Sequence, residues 1–207
     1  MPNRFNLMLI VMTVVSLISS FSTFAAGDFQ AVVKGNSAFG FDLYQKLKDQ
    51  EGNLFFSPYS ISTALAMTYA GARGRTEKEM AAVLHFPPGQ ELLHSSFAKL
   101  ESELKAIQDK GHLKLSVANS LWAQEGYGFL DSFFELNKKY YRAGLNFIDF
   151  RKAETARKTI NAWVEEKTEE KIRELIKPGR INPSTKLVLC NAIYFHGETT
   201  CFASSLL

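Results

Sequence analysis

NLFFSPYSISTALAMTYAGARGRT, Asn53 to Thr76, is the stretch on which the fold turns. Leu54-Phe55-Phe56 is a short run of strand formers. Ser57-Pro58 then starts a helix. The serine oxygen can accept from an N–H of the first turn, and proline at the first helical position loses no donor that the helix needs. Ile61, Ala64, Leu65, Ala66, Met67 and Ala70 place apolar residues nearly all round that helix, which predicts a buried one. Gly71 and Gly74 are expected to end it.

On the N-terminal side, Val32, Val33, Phe39, Leu43, Tyr44 and Leu47 form a helical stripe over Phe29 to Leu47. On the C-terminal side, Thr76-Glu77-Lys78-Glu79 has the spacing of a capping box, predicting a short helix that ends near Leu84. Pro87-Pro88-Gly89 reads as a loop. Leu92, Leu93, Phe97, Leu100, Leu104 and Ile107 form an amphipathic helix up to Gly111. Leu113, Leu115, Val117 and Leu121 alternate as in a strand. Phe129 to Tyr141 reads as a helix stopped by Gly144, and Leu145-Asn146-Phe147 as a strand. Ala156, Ile160, Trp163, Val164, Ile172, Leu175 and Ile176 mark the clearest helix, closed by Pro178-Gly179. Its polar face carries the Glu169/Arg173 pair at the favourable spacing of four. Leu187 to Phe195 is almost continuously apolar, the pattern of a strand covered on both faces. The chain therefore reads as one α+β unit.

The first 26 residues are expected to lie outside it. Arg4 is the only charge before Asp28, Leu7 to Ile18 is apolar apart from Thr13 and Ser16, and Ala25, Ala26 and Gly27 follow a Ser/Thr cluster. A basic start, a short apolar run and a small-residue exit describe a secretory signal peptide over residues 1–26. The mature chain would then start between Ala26 and Asp28. A membrane anchor would need about 20 apolar residues, and the polar cluster at 19–23 leaves the run short. Of the 207 residues 46% are hydrophobic and 22% charged, with net charge +3, which excludes a disordered tail, a polytopic membrane protein and a typical nucleic-acid binder.

The chemistry of an enzyme is hard to find. There is no G-x-S-x-G, H-E-x-x-H, C-x-x-C, P-loop or G-x-G-x-x-G, so neither a catalytic centre nor a cofactor or metal site is expected. His85, His94, His112 and His196 read as surface or loop histidines. Glu165, Glu166, Glu169 and Glu170 are interspersed with Lys167, Lys171 and Arg173, which describes a solvated helix face. Lys99, Lys105 and Lys110 are outnumbered by Glu91, Glu101, Glu103 and Asp109, a poor site for heparin. Residues 138–158 form an ordinary basic stretch. Cys190 and Cys201 are expected to be free thiols. A hairpin pivoting at His196-Gly197 sets Cys201 opposite Ala192 rather than Cys190, and a disulfide needs its Cα atoms within about 7 Å.

Four stretches resemble the serpin family of serine-protease inhibitors. They are Asn53–Thr76 above, HLKLSVANSLWAQ (His112–Gln124), TINAWVEEKTEEKIRELI (Thr159–Ile176) and STKLVLCNAIYFHG (Ser184–Gly197), in the family's order. The resemblance implies the N-terminal helices of a serpin and part of its central sheet over residues 28–197, an incomplete serpin fold. It also implies that His112–Gln124 and Ser184–Gly197 are the second and third strands of that sheet, with Thr159–Ile176 lying across it. By the same resemblance Ser57, Ser60 and Asn191 form a structural polar cluster under the sheet and none is catalytic. Family function is protease inhibition. A protease cleaves a reactive-centre loop, the loop inserts as a strand beside the third strand, and the acyl-enzyme is trapped. The likeness stops after Gly197, where His196 and Thr199 already replace the usual lysine and tryptophan, and residues 198–207 read as a divergent tail. The expectation is an exported serpin-type chain without its loop, inactive alone as an inhibitor. A serine protease is the family's partner, and self-association or a complementary serpin fragment is the expectation for this chain. The alternative is a non-inhibitory binding module that offers Leu187–Phe195 as an exposed strand edge.

Overall fold

The computed structural model describes residues 29–109 and 113–197. The expected signal peptide, His112, Cys201 and the tail after Gly197 lie outside the described residues. The order is α1 (29–47), α2 (Pro58–Tyr69), α3 (Gly74–Leu84), α4 (Gln90–Gln108), β1 (Leu113–Gln124), α5 (Asp131–Tyr141), β2 (Gly144–Ile148), α6 (Ala153–Lys167) and β3 (Leu187–Gly197).

The three strands form one sheet in the order β2-β1-β3. β1 runs parallel to β2, with Ser120 opposite Gly144, and antiparallel to β3, with Ala118 opposite Ala192. Successive side chains of a strand point to opposite faces, and each face has its own core. Leu121 joins Met67, Leu93, Phe97 and Tyr141 on the side of α2, α4 and α5, with Leu187 and Leu189 packed against them. Trp122 joins Phe150, Ala156, Ile160 and Ile181 on the side of α6, with Val188 and Cys190. The continuous apolar run of β3 is thus explained by two layers of helix, one on each face.

α2 begins as its sequence predicts. Ser57 is extended, Pro58 opens the helix, and the Ser57 hydroxyl oxygen accepts from the Ser60 amide at 3.2 Å. Three other boundaries differ from expectation. α3 starts at Gly74, with φ of +62°, so Thr76 lies inside its first turn and makes no capping box; no side chain caps the helix. Arg73 ties the α2–α3 turn instead, donating to the carbonyls of Ala70 (3.1 Å) and Ala72 (2.6 Å), and the Gln90 amide donates to Ala72 (3.0 Å). α5 starts at Asp131 rather than Phe129, and left-handed Arg142 stops it, so Gly144 opens β2.

The largest difference is in α6, which ends at Lys167 and not at Ile176. Glu169 and Glu170 are both left-handed, with φ of 48° and 60°. Residues with a Cβ adopt that conformation at a cost of roughly 1–2 kcal/mol each. Buried polar groups hold the chain back against α6. Asn161 donates to the Ile176 carbonyl (2.9 Å) and accepts from the Ile176 amide (2.8 Å). Arg157 donates to Glu174 (3.0 Å) and to the same carbonyl (3.2 Å). Glu169 and Arg173 are therefore not one helical turn apart on a continuous helix; Arg173 lies 3.7 Å from Glu165 and 3.6 Å from Glu170.

Candidate functional site

The start of α2 packs against the middle of β3, where side-chain polarity concentrates. The Ser60 hydroxyl donates to Asn191 Oδ1, and Asn191 Nδ2 donates to Asn119 Oδ1 at 2.7 Å. Asn119 and Asn191 are direct register partners across β1 and β3. Together with the Ser57–Ser60 cap this makes one continuous chain of hydrogen bonds from the helix start, through β3, to β1. Ser57, Ser60 and Asn191 are therefore neighbours in space. Asn119 was not expected among them. Its signal was available: Val117 and Leu121 flank it at two-residue spacing, so a polar residue stands on an otherwise apolar strand face. A buried amide on such a face demands partners. The seam joins serine hydroxyls, carboxamides and the Ser60 amide, with no histidine, carboxylate or thiol among these four residues. Its capacity is to bind a helix to two strands.

β3 is the last strand of the sheet, and no described strand pairs with its outer side. Along 187–193 its side chains are half-buried or buried, and among the described residues no strand occupies that backbone side. Cys190 lies buried here as a free thiol, and burial pushes its pKa up to about 11, which leaves it inert as a nucleophile at neutral pH.

The histidines separate. His85 is a surface residue whose Nε2 lies 2.7 Å from Asp42. His196 falls within β3, opposite Lys114. His94, expected on the surface, is instead fully buried. Its Nδ1 and the Tyr141 hydroxyl share a hydrogen bond of 2.6 Å, and the ring stacks on Tyr140 with centroids 6.1 Å apart. Its Nε2 has no partner among the described residues. Burial, helped by the Arg73 guanidinium, pushes the imidazole down to about 4. His94 occupies a core position of α4 between Leu93 and Phe97, and a single histidine within a mixed helix gave no sequence signal of burial.

A family model for "Serpin (serine protease inhibitor)" matches residues 34–204. The chain belongs to the serpin family. It is 45% identical over 163 residues to a leukocyte elastase inhibitor of Xenopus laevis, covering 77% of this chain and 43% of that protein. It is 37% identical over 172 residues to an uncharacterized serpin-like protein of Methanosarcina mazei, covering 81% of this chain and 40% of that one. The fold is similar to ovalbumin from emu, with a TM-score of 0.75 at 31% identity, over 81% of this chain and 47% of the other. This serpin chain thus spans less than half the length of the relatives it matches. Its helices and three-stranded sheet are part of a serpin fold. Serpins are inhibitors of proteases rather than catalysts. No described helix is long and apolar enough to cross a membrane.

Proposed function

We propose that this chain is the strand-receiving part of a serine-protease inhibitor. The observation that carries the reading is the outer side of β3, which no described strand occupies, in a sheet whose two faces are already packed. A strand added there would meet backbone donors and acceptors along its whole length. The similarity to an elastase inhibitor supports a serine protease as the target. In this reading the Ser57–Ser60–Asn191–Asn119 chain is structural, fixing β3 and β1 to α2 so that the receiving edge stays in register. Export is part of the proposal and rests on the apolar run of residues 7–18 with its small-residue exit.

The proposal assigns the reactive-centre loop to sequence outside these 207 residues. Equimolar mixing of the 207-residue polypeptide with trypsin-, chymotrypsin- and elastase-like enzymes is therefore expected to leave no detergent-resistant complex on a denaturing gel. A covalent complex formed by this polypeptide alone would overturn the assignment.

The same edge favours a second reading, a non-inhibitory module that pairs through β3. Phe41, Leu54 and Phe55 add apolar surface beyond the edge. On that basis the isolated chain is expected to run as oligomers in size-exclusion chromatography with light scattering, and to become monomeric when a complementary serpin fragment is added. A monodisperse monomer without any partner would exclude pairing through this edge.

A further inference from the structure

We propose that residues 168–176 are a two-state element, folded back along α6 in the form described here and able instead to continue α6 as a helix, with Arg157 and Asn161 deciding between the two. The first support is a conflict between local sequence and observed backbone. Residues 169–176 read EEKIRELI, almost all good helix formers, and Ile172 and Leu175 extend the apolar stripe of Ile160 and Val164 at helical spacing. Nothing in the segment is a helix breaker; Pro178 marks where an extension would have to stop. Yet the helix ends at Lys167, eleven residues before that proline, through two successive left-handed glutamates rather than through a glycine.

The second support is what holds the folded-back form. The Thr168 hydroxyl is buried, donates to the Val164 carbonyl at 2.8 Å and accepts from the Ile172 amide at 3.1 Å. Asn161 brackets Ile176 with two bonds of 2.8 and 2.9 Å, and Arg157 adds Glu174 at 3.0 Å. These few polar contacts are specific and few enough to be removed singly. The third support is exposure. Ile172 is 40% and Leu175 50% exposed in the folded-back form, whereas a continued helix would carry both on the stripe that already faces the sheet. Each form therefore satisfies what the other leaves unsatisfied, which is the condition for a bistable element.

The consequence falls on β3. Residues 177–186 lead from this segment into Leu187, with Ile181 buried in the core beneath α6. Folding back fastens that lead-in to α6; lengthening α6 would unfasten it. The device is a strap on the strand's entry, and it stands whether or not the edge of β3 receives a protease-cleaved loop.

The two forms differ in one distance above all. Asn161 and Ile176 are now in hydrogen-bond contact. In a continuous helix they would be about 22 Å apart at 1.5 Å per residue. The test uses the 207-residue chain with spin labels on cysteines at positions 158 and 177, a serine at position 201, and the buried thiol of Cys190 left in place. Asn161→Ala and Arg157→Gln are expected to shift the label separation to a narrow peak near 28 Å, with slower amide exchange by at least about tenfold across 172–176. Glu170 is exposed, so its variants leave the fold intact if the buried ones do not. Glu170→Ala should move the population toward the long distance, and Glu170→Gly should move it back. A broad distance distribution with faster exchange in the clamp variants would mean simple unravelling and would overturn the proposal. Unchanged distances in Glu170→Ala and in the clamp variants would overturn it equally.

Discussion

Acidification from pH 7 to pH 4 is expected to weaken the folded chain by on the order of 3 kcal/mol through His94 alone, and His94→Phe should remove that dependence. The imidazole titrates near 6.5 when exposed and is pushed down to about 4 in the fold, because burial, helped by Arg73, disfavours the charged ring and no described residue partners its Nε2. Between those values the unfolded chain binds more protons than the folded one, so stability falls as pH falls. The full contribution is present above about 6.5 and is gone by about 4. The Tyr141 hydroxyl supplies no counter-charge to a protonated ring, since burial raises its own pKa and keeps it un-ionised. Two carboxylates act beside it. Burial raises the pKa of Glu101, so its protonation opposes the His94 effect and favours the fold as the pH falls, while hydrogen bonds from Arg151 hold Asp149 down to about 2, so its contribution has the same sign as that of His94 and is lost only below about pH 4. Urea denaturation followed by the fluorescence of Trp122 and Trp163 across this range checks the expectation, since both report on the packing between the sheet and α6. A His94→Phe chain that loses stability as steeply as the parent would assign the acid sensitivity elsewhere.

The second large effect is expected at the polar seam. Asn191→Ala removes an acceptor from the buried Ser60 hydroxyl and a donor from Asn119 at once. Leaving a buried polar group without a partner costs about 1–3 kcal/mol, so a loss of about 2–4 kcal/mol is expected. Ser60→Ala alone should cost about 1–2 kcal/mol, because only one bond is lost and Asn191 keeps Asn119. The double variant should be less damaging than the sum, with a coupling of at least about 1 kcal/mol, as befits residues in direct contact. Thermal or urea unfolding of the four chains measures this. Strict additivity would mean that the Ser60–Asn191 contact contributes nothing to folding, and the seam would lose its role in holding α2 to β3.

Most of the architecture was legible without coordinates, for reasons that are local. Ser57-Pro58 fixes a helix start through the chemistry of two residues. The alternation of Leu113, Leu115, Val117 and Leu121 fixes a strand, and the unbroken apolar run at Leu187 fixes a strand covered on two sides. Local chemistry also misled at three places. Thr76-Glu77-Lys78-Glu79 has the spacing of a capping box, but Arg73 and Gln90 reach the turn from outside that window and set the helix start at Gly74. Gly144 looked like a helix stop, while Arg142 takes the left-handed position itself. Residues 168–176 have the composition of a helix and are held out of one by the side chain of Thr168, four residues before Ile172, and by those of Asn161 and Arg157, fifteen and nineteen residues before Ile176.

What the sequence by itself determined is the order and type of the elements, the serpin family, and the polarity of Ser57, Ser60 and Asn191. Those depend on residues close together in the chain, on periodicity and capping, and on resemblance across four stretches. Tertiary structure alone decided that Asn119 completes the seam, that His94 is buried against Tyr141, and that α6 stops at Lys167. Each of these rests on partners far apart in sequence or on the balance between a local preference and a distant hydrogen bond. Asn119 and Asn191 are 72 residues apart and meet only because β1 and β3 pair in one register. A strand's alternation shows which face a residue takes, but only the packed sheet shows what stands across from it.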